Sequence, residues 1–362
     1  MALLAITGKV NVGLPGLRGP APAVDKIAFI SDRGGQTDLW LMNADGSDPV
    51  RLTDDEYLES CPTWNSRGTG LFYVSNKPGT PQIFEIYPDG RGARQITLAA
   101  GGESSLTVNG RGQIAFVALG KVLLVSGGQA ELLLPTADQQ SDQQNEQMKE
   151  SPGGLYETPW PYKAAYLCPT AGALAAVQEK TIRGYYYQEP QYLGVVGDEP
   201  QPIEDDVGDA VLGGKVDIAW EKHGTRLAVA VSEGPRAGLY VTQPSSATAS
   251  LALSASKTGV FPSEPDWSPD GEWIAFAGLN QDGTPKGLFI SRAGGKPIRE
   301  IVAGARRPKW SPSGRFILYE RPSGKGTELW TVEVKSLKKR NLTNGMGDNS
   351  QGEWSPATHA GG

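Results

Sequence analysis

A turn motif that returns along the chain constrains what this sequence can fold into. Its clearest copy lies in residues 264–278, EPDWSPDGEWIAFAG, where an aromatic-centred strand runs into a Ser-Pro-Asp-Gly turn and a second strand follows. Pro269 sets φ for a turn, Asp270 can bond its own backbone, and Gly271 accepts the positive φ that closes a short hairpin. Trp267 and Phe276 then anchor one strand each. Weaker copies align at 63–68 (TWNSRG), 107–112 (TVNGRG), 167–172 (LCPTAG), 219–224 (AWEKHG), 309–314 (KWSPSG) and 353–356 (EWSP).

Seven following strands open at Ile27, Leu71, Ile114, Leu174, Leu227, Ile274 and Ile317, with spacings of 44, 43, 60, 53, 47 and 43 residues. A period in the forties with about four short strands per unit is the signature of a β-propeller. The pattern predicts an all-β fold, a seven-bladed β-propeller of four-stranded antiparallel blades, with six or eight blades as the alternatives. The chain opens on a second strand and closes on a first strand near 351–356, so the C-terminal strand is expected to complete the first blade and remove its exposed edges. This gives an N-terminal extension over 1–25, one propeller domain over 26–356 with an insertion at 135–163, and a tail at 357–362.

Composition agrees with many short strands: 47 Gly and 27 Pro punctuate the repeats, and 38% hydrophobic residues are enough for a packed core. A net charge of −6 offers no basic field for a phosphate backbone, which argues against nucleic acid as a partner. Cys61 and Cys168 cannot build a disulfide framework and form no CxxC pair, and two histidines, His223 and His359, cannot make a histidine-rich metal site. No stretch approaches the roughly 18 apolar residues of a membrane span. Residues 2–6 are too short for a signal-peptide core.

Five of the nine Trp fall in one slot of the repeat: Trp64, Trp220, Trp267, Trp310 and Trp354, with Val108 and Leu167 in the other two copies. A buried Trp removes about 150–250 Å² from water, on the order of 4–6 kcal/mol, so these five are expected to be structural, packed between blades.

At these residues the sequence resembles the TolB-type, WD-like propeller repeat, whose pattern runs roughly P-x-W-S-P-D-G-x-x-I-A-F-x-S, a loop, D-[IL]-W-x-M-N-x-D-G, then R-L-T. Residues 27–29, 31–33, 38–40, 42–46 and 51–53 match it closely, as do 267–271 with 274–276. Residues 310–314, 328–330 and 341–343 match nearly as well. The resemblance spans about 26–356 and is weakest in blades three and four. It implies the fold and a choice of roles, since this repeat serves periplasmic partner-binding proteins, peptidase gating domains and some lyases. TolB itself is not expected, because its separate N-terminal α/β domain has no room here and six blades are usual there. The resemblance implies a periplasmic or extracellular location if the chain lacks its leader, and a cytoplasmic one otherwise.

No G-x-S-x-G string marks a hydrolase nucleophile. Two acidic groups, Asp54, Asp55, Glu56 and Glu59, and Glu204, Asp205, Asp206 and Asp209, could offer oxygen ligands to calcium, but neither fits the D-x-[DN]-x-[DN]-G loop. No cofactor is expected, with calcium as the alternative. The long insertions fall on the face that carries the links between blades. Residues 137–154 are polar and Gln-rich, 155–166 (LYETPWPYKAAY) are aromatic and proline-stiffened, and 181–192 add a tyrosine run. Tyr156, Trp160, Tyr162, Tyr185, Tyr186 and Tyr187 are therefore the candidate binding residues, because Trp and Tyr offer large area with few rotatable bonds. Arg306 and Arg307, ahead of Pro308, are expected on the same face as an anionic contact. The expectation is a non-enzymatic scaffold that recognises another protein or a peptide there. The alternatives are a small-ligand or glycan binder, a hydrolase or lyase with its site in the central funnel, and a structural subunit of an extracellular assembly.

Overall fold

The computed structural model describes residues 25–77, 79–97, 103–126, 129–134, 161–170, 172–182, 185–193, 201–205, 214–243, 248–324 and 326–357. They form seven sheets built on four antiparallel strands each, and in blades two to seven the first of the four in chain order is innermost. Blade two runs Glu59–Trp64, Leu71–Ser75, Gln82–Ile86 and Arg94–Gln95. Blade three runs Glu103–Val108, Ile114–Ala118, Lys121–Ser126 and Gln129–Leu134. Blade four has Tyr162–Leu167, Leu174–Ile182, Tyr185–Leu193 and Gln201–Pro202. Blade five has Val216–Trp220, Leu227–Val231, Gly238–Thr242 and Thr248–Ser254, and gains Glu204–Asp205 as a parallel fifth strand. Blade six has Phe261–Trp267, Trp273–Leu279, Pro285–Arg292 and Ile298–Ala303, and blade seven Arg306–Trp310, Phe316–Ser323, Gly326–Glu333 and Lys339–Asn341. A single helical turn, Ala255–Thr258, joins blades five and six.

Blade one is assembled from both ends of the repeat array. Its innermost strand is Asn349–Trp354, beside Lys26–Ser31, Asp38–Asn43 and Val50–Arg51. Closure is therefore as the phase of the repeats predicts. Residues 1–24 of the expected extension over 1–25, most of the insertion and 358–362 lie outside the described residues, and the last residues of the expected insertion, Tyr162 and Lys163, belong to the inner strand of blade four.

The repeat residues act as the motif predicts. In blade six Gly271 (φ 69°) closes the hairpin by donating to the Ser268 carbonyl at 2.9 Å, while Ser268 Oγ accepts from the Trp273 N–H at 2.9 Å. Blade seven repeats this with Gly314 and Ser311. The Thr of each R-L-T segment folds back on the third strand: Thr53, Thr97 and Thr343 accept through Oγ1 from the N–H of Leu39, Ile83 and Leu329 at 3.0, 3.0 and 3.1 Å. That bond gives the two- or three-residue outer strands a fixed end, which their ladders alone would not supply.

Core layers lie between neighbouring blades, such as Ala228, Leu239, Leu253, Val260, Trp267 and Phe276 between blades five and six. The slot Trp does more than fill volume. Trp64, Trp220, Trp267 and Trp354 each donate their indole N–H to a carbonyl on the inner strand of the preceding blade, those of Glu353, Tyr166, Ala219 and Lys309, at 3.2, 2.7, 3.1 and 3.1 Å. The fifth, Trp310, is buried in the same slot with its indole nitrogen unpaired among the described residues.

Candidate functional site

The inner strands surround a central cavity of about 800 Å³. Five of these strands carry a β-bulge at one repeated position, three residues before the slot, where Cys61, Ser105, Glu264, Arg307 and Gln351 take φ between 50° and 55°. A bulge leaves an N–H outside the ladder, and here a side chain of the preceding blade accepts it. Asp217 accepts from Glu264 (3.1 Å), Glu264 from Arg307 (2.8 Å), Glu320 from Gln351 (2.8 Å) and Gln351 from Cys61 (2.5 Å). Ser105 Oγ accepts from the Ala165 N–H of blade four (3.0 Å), two positions before the slot, where no left-handed residue stands. These side chains form a polar ring at the end of the cavity where the inner strands begin, the same end as the links between blades.

The ring is charged on one side only. Blades five, six and seven contribute Asp217, Glu264, Arg307 and Glu320, whereas blades two and three contribute Cys61 and Ser105. Glu320 is buried, with Arg306 at 3.2 Å and Arg307 at 3.5 Å, and Arg307 also reaches Glu264 at 3.4 Å. Burial works to lower the Arg307 pKa, but Glu320 and Glu264 together hold it above its ordinary value. Burial raises Glu264 and pushes up the Cys61 thiol. One layer deeper stand Thr63, Thr107, Asp266, Lys309 and Glu353. Burial pushes Asp266 up to about 7 while it accepts the Trp310 N–H at 2.7 Å. The Glu353 carboxylate, 2.7 Å from the Lys309 ammonium, raises the lysine.

Two hairpins rise beside the mouth. In blade four the second strand pairs with the inner strand only as far as Gln178, opposite Tyr162, yet continues to Ile182. Four residues at 3.3 Å each lift that hairpin about 13 Å above the inner strand. In blade seven the second strand passes Glu320, opposite Arg306, and continues to Ser323, about 10 Å of overhang by the same rise.

The structure separates the candidate binding residues. Tyr185, Tyr186 and Tyr187 lie on the raised hairpin of blade four, opposite Ile182, Thr181 and Lys180. Tyr162 does not reach the surface. It is 5% exposed, packs with Val122 and Leu124 of blade three, and donates its hydroxyl to Gln191 at 2.9 Å. Tyr156 and Trp160 lie outside the described residues. Arg306 and Arg307 open the inner strand of blade seven, and Arg307 lines the cavity. Sequence reasoning missed the ring itself. Its bulge residues share a position three before the slot and a backbone conformation, but no side-chain chemistry that a sequence would show.

The acidic groups do not gather into one site among the described residues, and Asp206 and Asp209 lie outside them. Asp54 meets Arg51 at 2.5 Å and Asp55 meets Lys77 at 2.9 Å, while Glu59 is buried and accepts from Thr53 and Ser75. Glu204 and Asp205 form the short parallel strand on blade five. Among the described residues no group of three His, Cys, Asp or Glu converges as metal ligands.

No family profile matches the chain. A stretch of 44 residues is 46% identical to the Tol-Pal system protein TolB of Anaeromyxobacter dehalogenans, and one of 76 residues is 34% identical to dipeptidyl-peptidase 5 of Porphyromonas endodontalis. These matches span 12% and 21% of this chain and only 10% and 11% of those proteins. The solved TolB of Acinetobacter baumannii superposes over 92% of this chain and 67% of its own, with a TM-score of 0.57 and 13% identity. The fold is that of the TolB propeller. The same TolB-type architecture is shared by an oligogalacturonate lyase solved with manganese, over 88% of this chain and 85% of its own (TM-score 0.59, 10% identity). At such identities the likeness shows the fold alone, and the chain is not TolB itself.

Proposed function

We propose that this TolB-type propeller is a non-enzymatic binding scaffold that receives an extended segment of a partner protein across the mouth of its central cavity, between the raised hairpins of blades four and seven. The observation that carries this reading is the polar ring. Its acids and bases are already paired with one another or bonded to backbone N–H groups, so the mouth presents a fixed pattern of donors and acceptors and not a nucleophile beside a base. The sequence puts Tyr185, Tyr186 and Tyr187 on the raised hairpin of blade four, and tyrosine is a residue type that recognition surfaces use. The curated relatives include both a Tol-Pal system protein and a peptidase, and the matched stretches cover about a tenth of either. Role therefore has to come from the site. A periplasmic or extracellular setting accords with the reading.

A saccharide or other small ligand is the competing occupant, favoured by one observation: a cavity of about 800 Å³ lies within the size range of small-molecule sites. Capture from envelope extracts tests both. The full chain should retain a defined protein partner that is lost when Tyr186 and Arg321, one on each raised hairpin, are changed to Ala, and kept when Lys222 on the opposite face is changed to Ala. A partner indifferent to both substitutions, together with saturable binding of an oligosaccharide in calorimetry, would overturn the protein-partner reading.

A further inference from the structure

The turn between the third and fourth strands of blade seven departs from its counterparts. In blades one and two a left-handed glycine occupies this turn, Gly46 (φ 87°) and Gly90 (φ 80°), and the Asn43 and Tyr87 N–H groups reach the carbonyls of Ser47 and Arg91 just beyond. In blade seven the turn is one residue longer, with the Glu333 N–H reaching the Lys338 carbonyl at 2.9 Å. The residue in the left-handed position is Leu337 (φ 57°), 39% exposed. A branched apolar side chain is strained in that conformation and gains nothing from water, and an outlier of this kind points to use.

Leu337 stands among exposed cations. Lys335, Lys338 and Lys339 flank it, and Arg299 of blade six lies against the turn, its Nη2 donating to the Val334 carbonyl at 3.2 Å. Among the described residues the three lysines make no ion pair. Glu333, the acid within the turn, is already taken by Arg315 at 2.7 Å and by Ser336. Lysines on an outer strand also guard a sheet edge. That role covers Lys339 but neither the exposed Leu337 nor the lysines of the turn.

We propose that this corner of blades six and seven docks the protein on an anionic lipid surface, with Leu337 entering the headgroup boundary and the lysines facing lipid phosphates. The patch is one exposed turn and the start of its outer strand, whose lysines make no ion pair among the described residues. It lacks the groove of stacking aromatics that a single-stranded nucleic acid would use and the packed aromatic centre of a protein hot spot. A planar anionic surface asks only for clustered charge and a small apolar tip. It would leave the cavity mouth, on the opposite face, free for a partner.

Co-sedimentation of the full chain with vesicles tests this, using mixed phosphatidylglycerol and phosphatidylcholine against phosphatidylcholine alone, at low and high salt. Binding should require the anionic lipid and weaken with salt. The K335E/K338E/K339E variant should lose at least roughly 100-fold in partitioning, about five-fold for each lysine charge removed, with the added carboxylates repelled further. Leu337→Gly should lose binding several-fold without lowering the melting temperature, because glycine suits the left-handed position. Equal binding to neutral vesicles, no binding to anionic ones, or retention by the triple variant would overturn the proposal. So would an equal loss in the charge-matched control K77E/K257E/K286E on the mouth face, which would reduce the effect to net charge. Tighter binding to polyglutamate or duplex DNA than to vesicles would reassign the patch to a soluble polyanion.

Discussion

Asn349 Oδ1 accepts hydrogen bonds from Ser31 Oγ and from Arg33 Nη2, both at 2.8 Å, joining residues more than 300 positions apart in sequence. The Asn349 amide group also donates to the carbonyls of Met346 and Gly347 at 2.9 and 2.8 Å, and the side chain is fully buried. One residue thus holds the last strand to the first described strand at the seam of the ring.

Replacing Asn349 by Ala should therefore cost about 2–4 kcal/mol, since buried donors and acceptors on both sides of the seam lose their partner together. Urea unfolding followed by tryptophan fluorescence measures this. A variant within about 0.5 kcal/mol of the wild type, the range of ordinary surface substitutions, would show that the seam is held by the ladder alone.

The slot tryptophans make a comparative prediction. Trp220→Phe leaves the Tyr166 carbonyl without its 2.7 Å indole donor and should cost about 1–2 kcal/mol beyond the loss of volume. Trp310→Phe, at a site where the indole nitrogen has no described partner, removes no such bond and should cost less than Trp220→Phe. Equal losses measured side by side would mean that shape, not the inter-blade bond, sets the value of this slot.

The slot was legible in the sequence because its content is chemically uniform. Trp64, Trp220, Trp267, Trp310 and Trp354 solve the same packing problem with the same residue, so repeat, phase and closure could be read from them. The ring three positions earlier was not legible for the opposite reason. Cys61, Ser105, Glu264, Arg307 and Gln351 share a backbone conformation and a place on the wall but no side-chain chemistry, so no string announces them. Tyr162 shows the complementary error. It stands in an aromatic stretch with Trp160, but strand alternation turns it inward onto Val122 and Leu124.

Glu59 gives stability a pH dependence of defined sign. Its side chain is buried at the start of the inner strand of blade two, and burial pushes it up to about 7 from an ordinary value of 4.5. The folded protein thus holds a proton there that the unfolded chain releases near 4.5. The stabilisation is fully present below about 4.5 and is lost as pH rises through about 7, an effect on the order of 3 kcal/mol. Glu59→Gln should flatten that part of the stability–pH curve while keeping an oxygen for Thr53 and Ser75. A wild-type curve that is already level between about pH 4.5 and 7.5 would contradict the assignment.

The cavity wall tests how the charges of blade seven are shared. Glu320 is buried and faces two guanidinium groups, Arg306 and Arg307, so either can remain when the other is removed. Arg306→Ala and Arg307→Ala should each cost about 1 kcal/mol, whereas the double variant strands a buried carboxylate and should cost about 3 kcal/mol or more. Adding Glu320→Gln to the double variant should recover much of the loss, because the amide carries no charge to strand yet keeps an acceptor for the Gln351 N–H. Additive single losses, with no recovery on adding Glu320→Gln, would mean that Glu320 does not depend on the arginines and that the ring is held by its backbone bonds.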